Sequence, residues 1–185
     1  MRIVGGALRG RTLSGPSTPG IRPTSDRLRE SIFDILQHAF DDPVPGATVI
    51  DLFAGSGALG LEALSRGATR ALFVDDGAPA RALLRANIET LGQGGVTRVF
   101  RRDATKLGQA PVDERFSLAF LDPPYGKNLA PLALHALHDG GWLCKDALIV
   151  IEEVASAPVE LPDVFQSEDA RKYGDTQVLF ARYQG

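Results

Sequence analysis

The stretch Asp51 to Gly60, DLFAGSGALG, decides how this chain folds. Its glycines at 55, 57 and 60 match G-x-G-x-x-G, directly after the β-rich run ATVIDLF and at the head of the helical pattern ALGLEALSRG. In that setting Gly55 and Gly57 allow a tight turn with close backbone approach to a ligand, and Gly60 lets the helix pack near the strand. The pattern alone fits NAD as well as other adenosine-bearing ligands. Asp51 shifts the balance, because a carboxylate before the loop repels a dinucleotide pyrophosphate and accepts hydrogen bonds from an ammonium group. S-adenosylmethionine, with its α-amino group and sulfonium, is the better electrostatic partner. Phe53, inside the loop, joins the same candidate cofactor set.

Outward from the loop, RALFVD, PARALLRANIETLG and VTRVFRR continue a strand–helix alternation, followed by FSLAFLD, a helix over Leu129 to His138, and ALIVIEE. Near-continuous apolar strands separated by helices predict a parallel sheet covered on both faces, with right-handed crossovers. Gly67 and Gly92 fit C-terminal helix caps. The segment Val164 to Tyr183 reads as an antiparallel hairpin, FQSEDAR and TQVLFARY, turning through Lys172 to Asp175. Trp142 is expected to pack at the start of the fifth strand.

Four carboxylates follow successive strands. Asp75, with Asp76 beside it, stands where ribose hydroxyls are gripped, and Asp103, with the Ala104 amide, where an adenine amine is met. Asp122 opens the loop FLDPPYG. Pro123 and Pro124 stiffen the backbone, supply no amide donor and leave carbonyl oxygens to accept outward hydrogen bonds. The carboxylate and a proline carbonyl together suit the two hydrogens of an exocyclic base amine, and Tyr125 is expected to stack on the base. Such a loop can orient the amine lone pair for methyl transfer; whether Asp122 also acts as a base stays open.

The chain has 185 residues, with 44% hydrophobic and 23% charged, as in one ordinary folded domain. Its net charge of −3 conceals an asymmetry: the first 30 residues carry +4 and the remainder −7. A basic arm on an acidic body suits a polyanion, although arginines on a solvated face give the same pattern. RIVGG and LRGRTL read as short strands of a hairpin-like arm, Ser14 to Gly20 as a loop, and residues 1–23 as arm plus loop ahead of a methyltransferase domain over 24–185. A helix is expected from Thr24 or Ser25 as N-cap, burying Leu28, Ile32, Ile35, Leu36 and Ala39. Cys144 reads as a buried thiol, and His135 and His138, three apart on a helix, as a solvated face rather than metal ligands. With no bilayer-length apolar run and no secretory start, the expectation is a cytoplasmic protein without membrane contact, and with no long exposed apolar segment to argue for an obligate dimer, a monomer.

The residues together resemble the bacterial 16S ribosomal RNA guanine-N2 methyltransferases that modify guanine(966) of the small subunit. The resemblance covers RIVGGALRGRTL, PGIRPTSDRLRESIFDIL, DLFAGSGALGLEALSRGA, FVD, LDPPYG and KYGDT. It implies an α/β, Rossmann-like class I fold, a mainly parallel seven-stranded sheet using S-adenosylmethionine, with 16S ribosomal RNA or the small ribosomal subunit as partner. Carried over, Asp51, Gly55 and Gly57 would meet the methionine part, Asp75 the ribose, Asp103 the adenine, and Asp122, Pro123, Pro124 and Tyr125 the target guanine. Arg9, Arg11, Arg22, Arg27 and Arg29 would belong to the RNA-facing arm and helix, with Arg27 the candidate for an internal salt bridge. Rival readings are a DNA adenine-N6 or cytosine-N4 methyltransferase, which usually carries a target-recognition insertion, and a NAD-dependent oxidoreductase, which leaves Asp51 and DPPY unexplained. An inactive RNA-binding relative is a third.

Overall fold

The computed structural model describes residues 1–17 and 24–185. Among them, four α-helices and seven strands follow in the order α1 (Asp26–Ala39), β1 (Thr48–Leu52), α2 (Ala58–Ser65), β2 (Arg70–Val74), α3 (Ala78–Thr90), β3 (Thr97–Phe100), β4 (Phe116–Leu121), α4 (Leu129–Asp139), β5 (Leu143–Val154), β6 (Phe165–Tyr173) and β7 (Thr176–Tyr183). The strands form one sheet in the order β3-β2-β1-β4-β5-β7-β6. The first five run parallel, and β7 pairs antiparallel with both β5 and β6. From β1 the chain winds outward through β2 to β3, then returns to place β4 on the other side of β1, so the strand order reverses between β1 and β4, and ligands of open α/β sheets bind beyond the carboxyl ends of strands at such a switch point.

Both faces of the sheet are covered, which explains why the central strands lack polar alternation. Val49, Phe73, Leu118 and Phe120 pack on one face with Ile32, Phe33 and Leu36 of α1, Leu61 of α2 and Leu84 of α3. Ile50, Leu72, Ala119 and Ile149 pack on the other with Leu134 and Leu137 of α4 and with Trp142. Trp142 is fully buried and its Nε1 donates to the Gly108 carbonyl at 2.8 Å.

Several boundaries differ from the sequence expectation. Ser25 is the N-cap of α1, its Oγ accepting from the Leu28 amide at 3.1 Å. The buried face of α1 holds Arg29 and Phe33, whereas Ala39 at its last turn is exposed. β5 starts at Leu143, four residues before the apolar run ALIVI, because an irregularity in its pairing with β4 takes up the polar Lys145 and Asp146. Cys144 is only partly buried in this extension. His135 is exposed, and the His138 Nδ1 lies 2.7 Å from the Tyr183 hydroxyl.

The expected strands of the arm reduce to one antiparallel bridge, Arg2 with Thr12, closed by Ile3 N–H to Arg11 O and Leu13 N–H to Met1 O, both 2.9 Å. The arm is docked, with Ile3 and Leu13 in the core beside α1. Gly6 has φ +76°, and a Cβ there would lie 2.0 Å from the Ser65 carbonyl oxygen, so only glycine lets the arm lie this close to the end of α2. Residues 18–20 of the expected loop lie outside the described residues, as does Arg22.

Candidate active site

Asp51, Asp75 and Asp122 stand at the carboxyl ends of β1, β2 and β4, and Asp103 follows β3. Sheet topology therefore brings together the four carboxylates that the sequence singles out. Asp51 is 1% exposed, and its Oδ2 accepts from the Gly60 amide at 3.0 Å. Burial, with the Asp75 charge adding to it, pushes this carboxyl up to about 8. Gly60 is where helix meets sheet: a Cβ there would stand 2.4 Å from the Phe73 ring and 3.2 Å from Asp51 Oδ2. Gly55, with φ +56°, faces open space in which a Cβ would meet only the Phe53 carbonyl at 3.9 Å. Its amide donates to Asp75 Oδ2 at 2.9 Å, while Gly77 donates to Asp75 Oδ1 at 2.8 Å. Asp75 thus fastens the glycine loop to the end of β2, and the neighbouring Asp76 is exposed. Phe53 itself has φ +57°, a conformation uncommon for a bulky residue, at the first step of the loop.

Asp103 Oδ1 accepts from the Thr105 hydroxyl at 2.7 Å and its amide at 2.8 Å, and these bonds hold the carboxyl below its usual range. Its Oδ2 accepts from no described residue, and Ala104 beside it is buried. These residues fit S-adenosylmethionine: a buried carboxylate satisfied by one amide suits an ammonium, an open glycine turn lies alongside, and acceptors stand at the ends of β2 and β3.

In the LDPPYG loop, Asp122 is partly buried, Pro123 buried and Pro124 exposed. Neither proline carbonyl accepts a hydrogen bond from a described residue. Asp122 Oδ2 accepts from the Thr24 hydroxyl at 3.1 Å, and the same hydroxyl lies 3.0 Å from Glu152 Oε2. Burial, and after it the charge of Glu152, raises the Asp122 carboxyl well above its ordinary value. Tyr125 donates to Glu152 Oε1 at 2.6 Å and lies 3.0 Å from the Thr176 hydroxyl. Its phenol is pushed up by burial and by that bond to Glu152. The ring remains partly exposed with its far end anchored, an arrangement compatible with stacking. Glu153 Oε1 accepts from the Gly126 amide at 3.0 Å and holds the loop's other end.

The structure corrects Arg29 as an RNA contact. It is 0% exposed, with Nε 3.3 Å from Glu62 Oε2, Nη2 2.9 Å from Asp26 Oδ1, and further donation to the Arg2 and Thr24 carbonyls. Arg29, rather than the exposed Arg27, makes the internal salt bridge. Glu62 also accepts from the Val4 amide at 3.0 Å, the Gly5 amide at 2.8 Å and Arg66 Nε at 2.9 Å, tying the arm to α1 and α2. Arg9 and Arg11 are exposed, and Arg11 Nη2 donates to the Thr90 carbonyl at 2.6 Å. The residues missed from sequence are Thr24, Glu62, Glu152 and Glu153. A signal existed for the last two, adjacent acids ending an apolar strand; none existed for Glu62, inside a helix.

The chain is similar to ribosomal RNA small subunit methyltransferase D of Escherichia coli, 38% identical over 100% of this chain and 89% of that protein. The Haemophilus influenzae protein of the same name is 34% identical over 88% of this chain and 83% of its own. The solved structure of yhhF from Escherichia coli superposes with a TM-score of 0.84 at 31% identity, covering 100% of this chain and 98% of that one. The family described as conserved hypothetical protein 95 matches residues 1–182, and the chain belongs to it.

Proposed function

We propose that this protein methylates the exocyclic N2 amine of a guanine, guanine(966), in 16S ribosomal RNA of the small subunit, using S-adenosylmethionine. The observation that carries the reading is the acceptor set at the end of β4: Asp122, with the Pro123 and Pro124 carbonyls that accept from no described residue, one strand from the buried Asp51. The names of the relatives support the ribosomal RNA substrate. Bound beside Asp51 and the glycine turn, S-adenosylmethionine would supply an electrophilic sulfonium methyl.

The chain's own residues then have defined tasks. Asp51 accepts from an ammonium, Asp75 and Asp103 meet the ribose and adenine, and Ala104 and Phe53 border them. Asp122 and a proline carbonyl accept the two amine hydrogens, which turns the nitrogen lone pair out of conjugation, and Tyr125 holds the base by stacking. The exposed Arg9 and Arg11 supply phosphate contacts, with Arg22 in the same role. The reading includes a monomer working in the cytoplasm without membrane contact; no described helix is long and apolar enough to cross a bilayer. A DNA methyltransferase is disfavoured because α4 and β5 follow the DPPY loop with no room for a sizeable insertion. Labelled methyl transfer to 16S RNA, with double-stranded DNA as the comparison, tests it: label in DNA but not RNA overturns the substrate.

A further inference from the structure

Since Ser25 caps α1, the Thr24 side chain serves elsewhere. Thr24 is 7% exposed, and its single hydroxyl hydrogen faces two carboxylates, Asp122 Oδ2 at 3.1 Å and Glu152 Oε2 at 3.0 Å. Asp122 Oδ1 accepts from no described residue, which leaves that oxygen for a substrate amine. The Thr24 backbone is itself fixed: Arg29 Nη1 donates to its carbonyl at 3.3 Å, and Arg29 is buried against Glu62. A continuous set of contacts thus runs from the arm through Glu62 and Arg29 to Thr24 and the target loop.

We propose that Thr24 is a positioning residue for the amine methylation, its hydroxyl holding one oxygen of Asp122 so that the other is aimed at the target amine. The proposal rests on the methyltransferase reading and extends it to the segment just ahead of α1. Asp122 faces Glu152 and Glu153 from β5 and Asp51 from β1, whose charges disfavour its own, and the Tyr125 hydroxyl lies in its own loop. Thr24 donates a hydrogen bond to it that favours the ionised form. Removing the hydroxyl therefore raises the Asp122 carboxyl further, and the acid limb of the rate moves to higher pH.

The test compares wild type, Thr24→Val and Thr24→Ser in methyl transfer to 16S RNA, and titrates the Asp122 carboxyl by carbon-13 NMR in the free proteins. Thr24→Val is expected to lower kcat roughly 10- to 100-fold, as for a lost hydrogen bond to a charged group, with KM for RNA and cofactor nearly unchanged. Thr24→Ser, which keeps the hydroxyl, restores the rate. In Thr24→Val the carboxyl titrates at higher pH, and Thr24→Ala replaces this variant if valine does not fold. Wild-type kcat in Thr24→Val together with an unmoved Asp122 titration overturns the proposal. A wild-type protein that methylates no RNA amine overturns the substrate reading instead, and the titration then decides on Thr24.

Discussion

Replacing Glu62 by alanine tests how the arm is held. Glu62 is 0% exposed and accepts four hydrogen bonds: Val4 N at 3.0 Å, Gly5 N at 2.8 Å, Arg66 Nε at 2.9 Å and Arg29 Nε at 3.3 Å. Arg66 is partly exposed and regains water, but Arg29 stays buried with only the more exposed Asp26 for charge. Removing one partner of a buried pair costs about 3–5 kcal/mol, because the other charge is left uncompensated. At about 2–4 °C per kcal/mol for a chain of this size, Tm falls by at least roughly 6 °C. Thermal unfolding by circular dichroism reads the loss, and hydrogen exchange at the Val4 and Gly5 amides reads release of the arm. Pairing the change with Arg29→Met should recover part of the stability, since no buried charge is then stranded. A Tm within about 2 °C of wild type, less than 1 kcal/mol at this size, with arm amides still protected, would refute the reasoning.

Asp122→Ala should abolish methyl transfer while S-adenosylmethionine affinity by calorimetry stays nearly unchanged; near-normal turnover would remove the carboxylate from its role. The Asp51 carboxyl, raised to about 8 by burial, should bind a cationic cofactor by giving up its proton, so affinity rises between about pH 6 and 8 and calorimetry in buffers of different ionisation enthalpy detects proton release. Asp51→Asn should weaken binding and flatten that dependence, whereas a pH-independent affinity in wild type would contradict the ammonium assignment. In the cofactor-free protein the raised carboxyl contributes stability fully below its ordinary value of 3.8, and loses it as pH rises through about 8. Arg9→Ala with Arg11→Ala should weaken RNA binding and reduce the slope of log affinity against log salt by about 0.7–0.9 per lost phosphate contact; an unchanged slope removes the arm from the RNA interface.

The central strands and the loops after them were legible because β1, β2 and β4 are buried on both faces and need nearly continuous apolar runs. Each carboxylate then stands at a strand end by sequence count alone. β5 shows where this stops: its first turn of strand, Cys144 to Asp146, is polar and held by pairing with β4 rather than by its own pattern. Arg29 shows a second limit, since an arginine on a helix looks the same whether it faces water or a buried glutamate 33 residues away. Thr24, Glu152 and Tyr125 are linked only through tertiary packing of the segment before α1, β5 and the target loop, and although Glu152 and Tyr125 stand out in the sequence singly, no spacing announces that they share hydrogen bonds.

Incubating the protein with labelled S-adenosylmethionine and undermodified small ribosomal subunits, then mapping the product by mass spectrometry, tests the central claim most directly. The account predicts one methyl group on the N2 amine of a single guanine, guanine(966), in 16S RNA. Methylation of an adenine or cytosine amine, of a ribose hydroxyl, or of no nucleotide would contradict it.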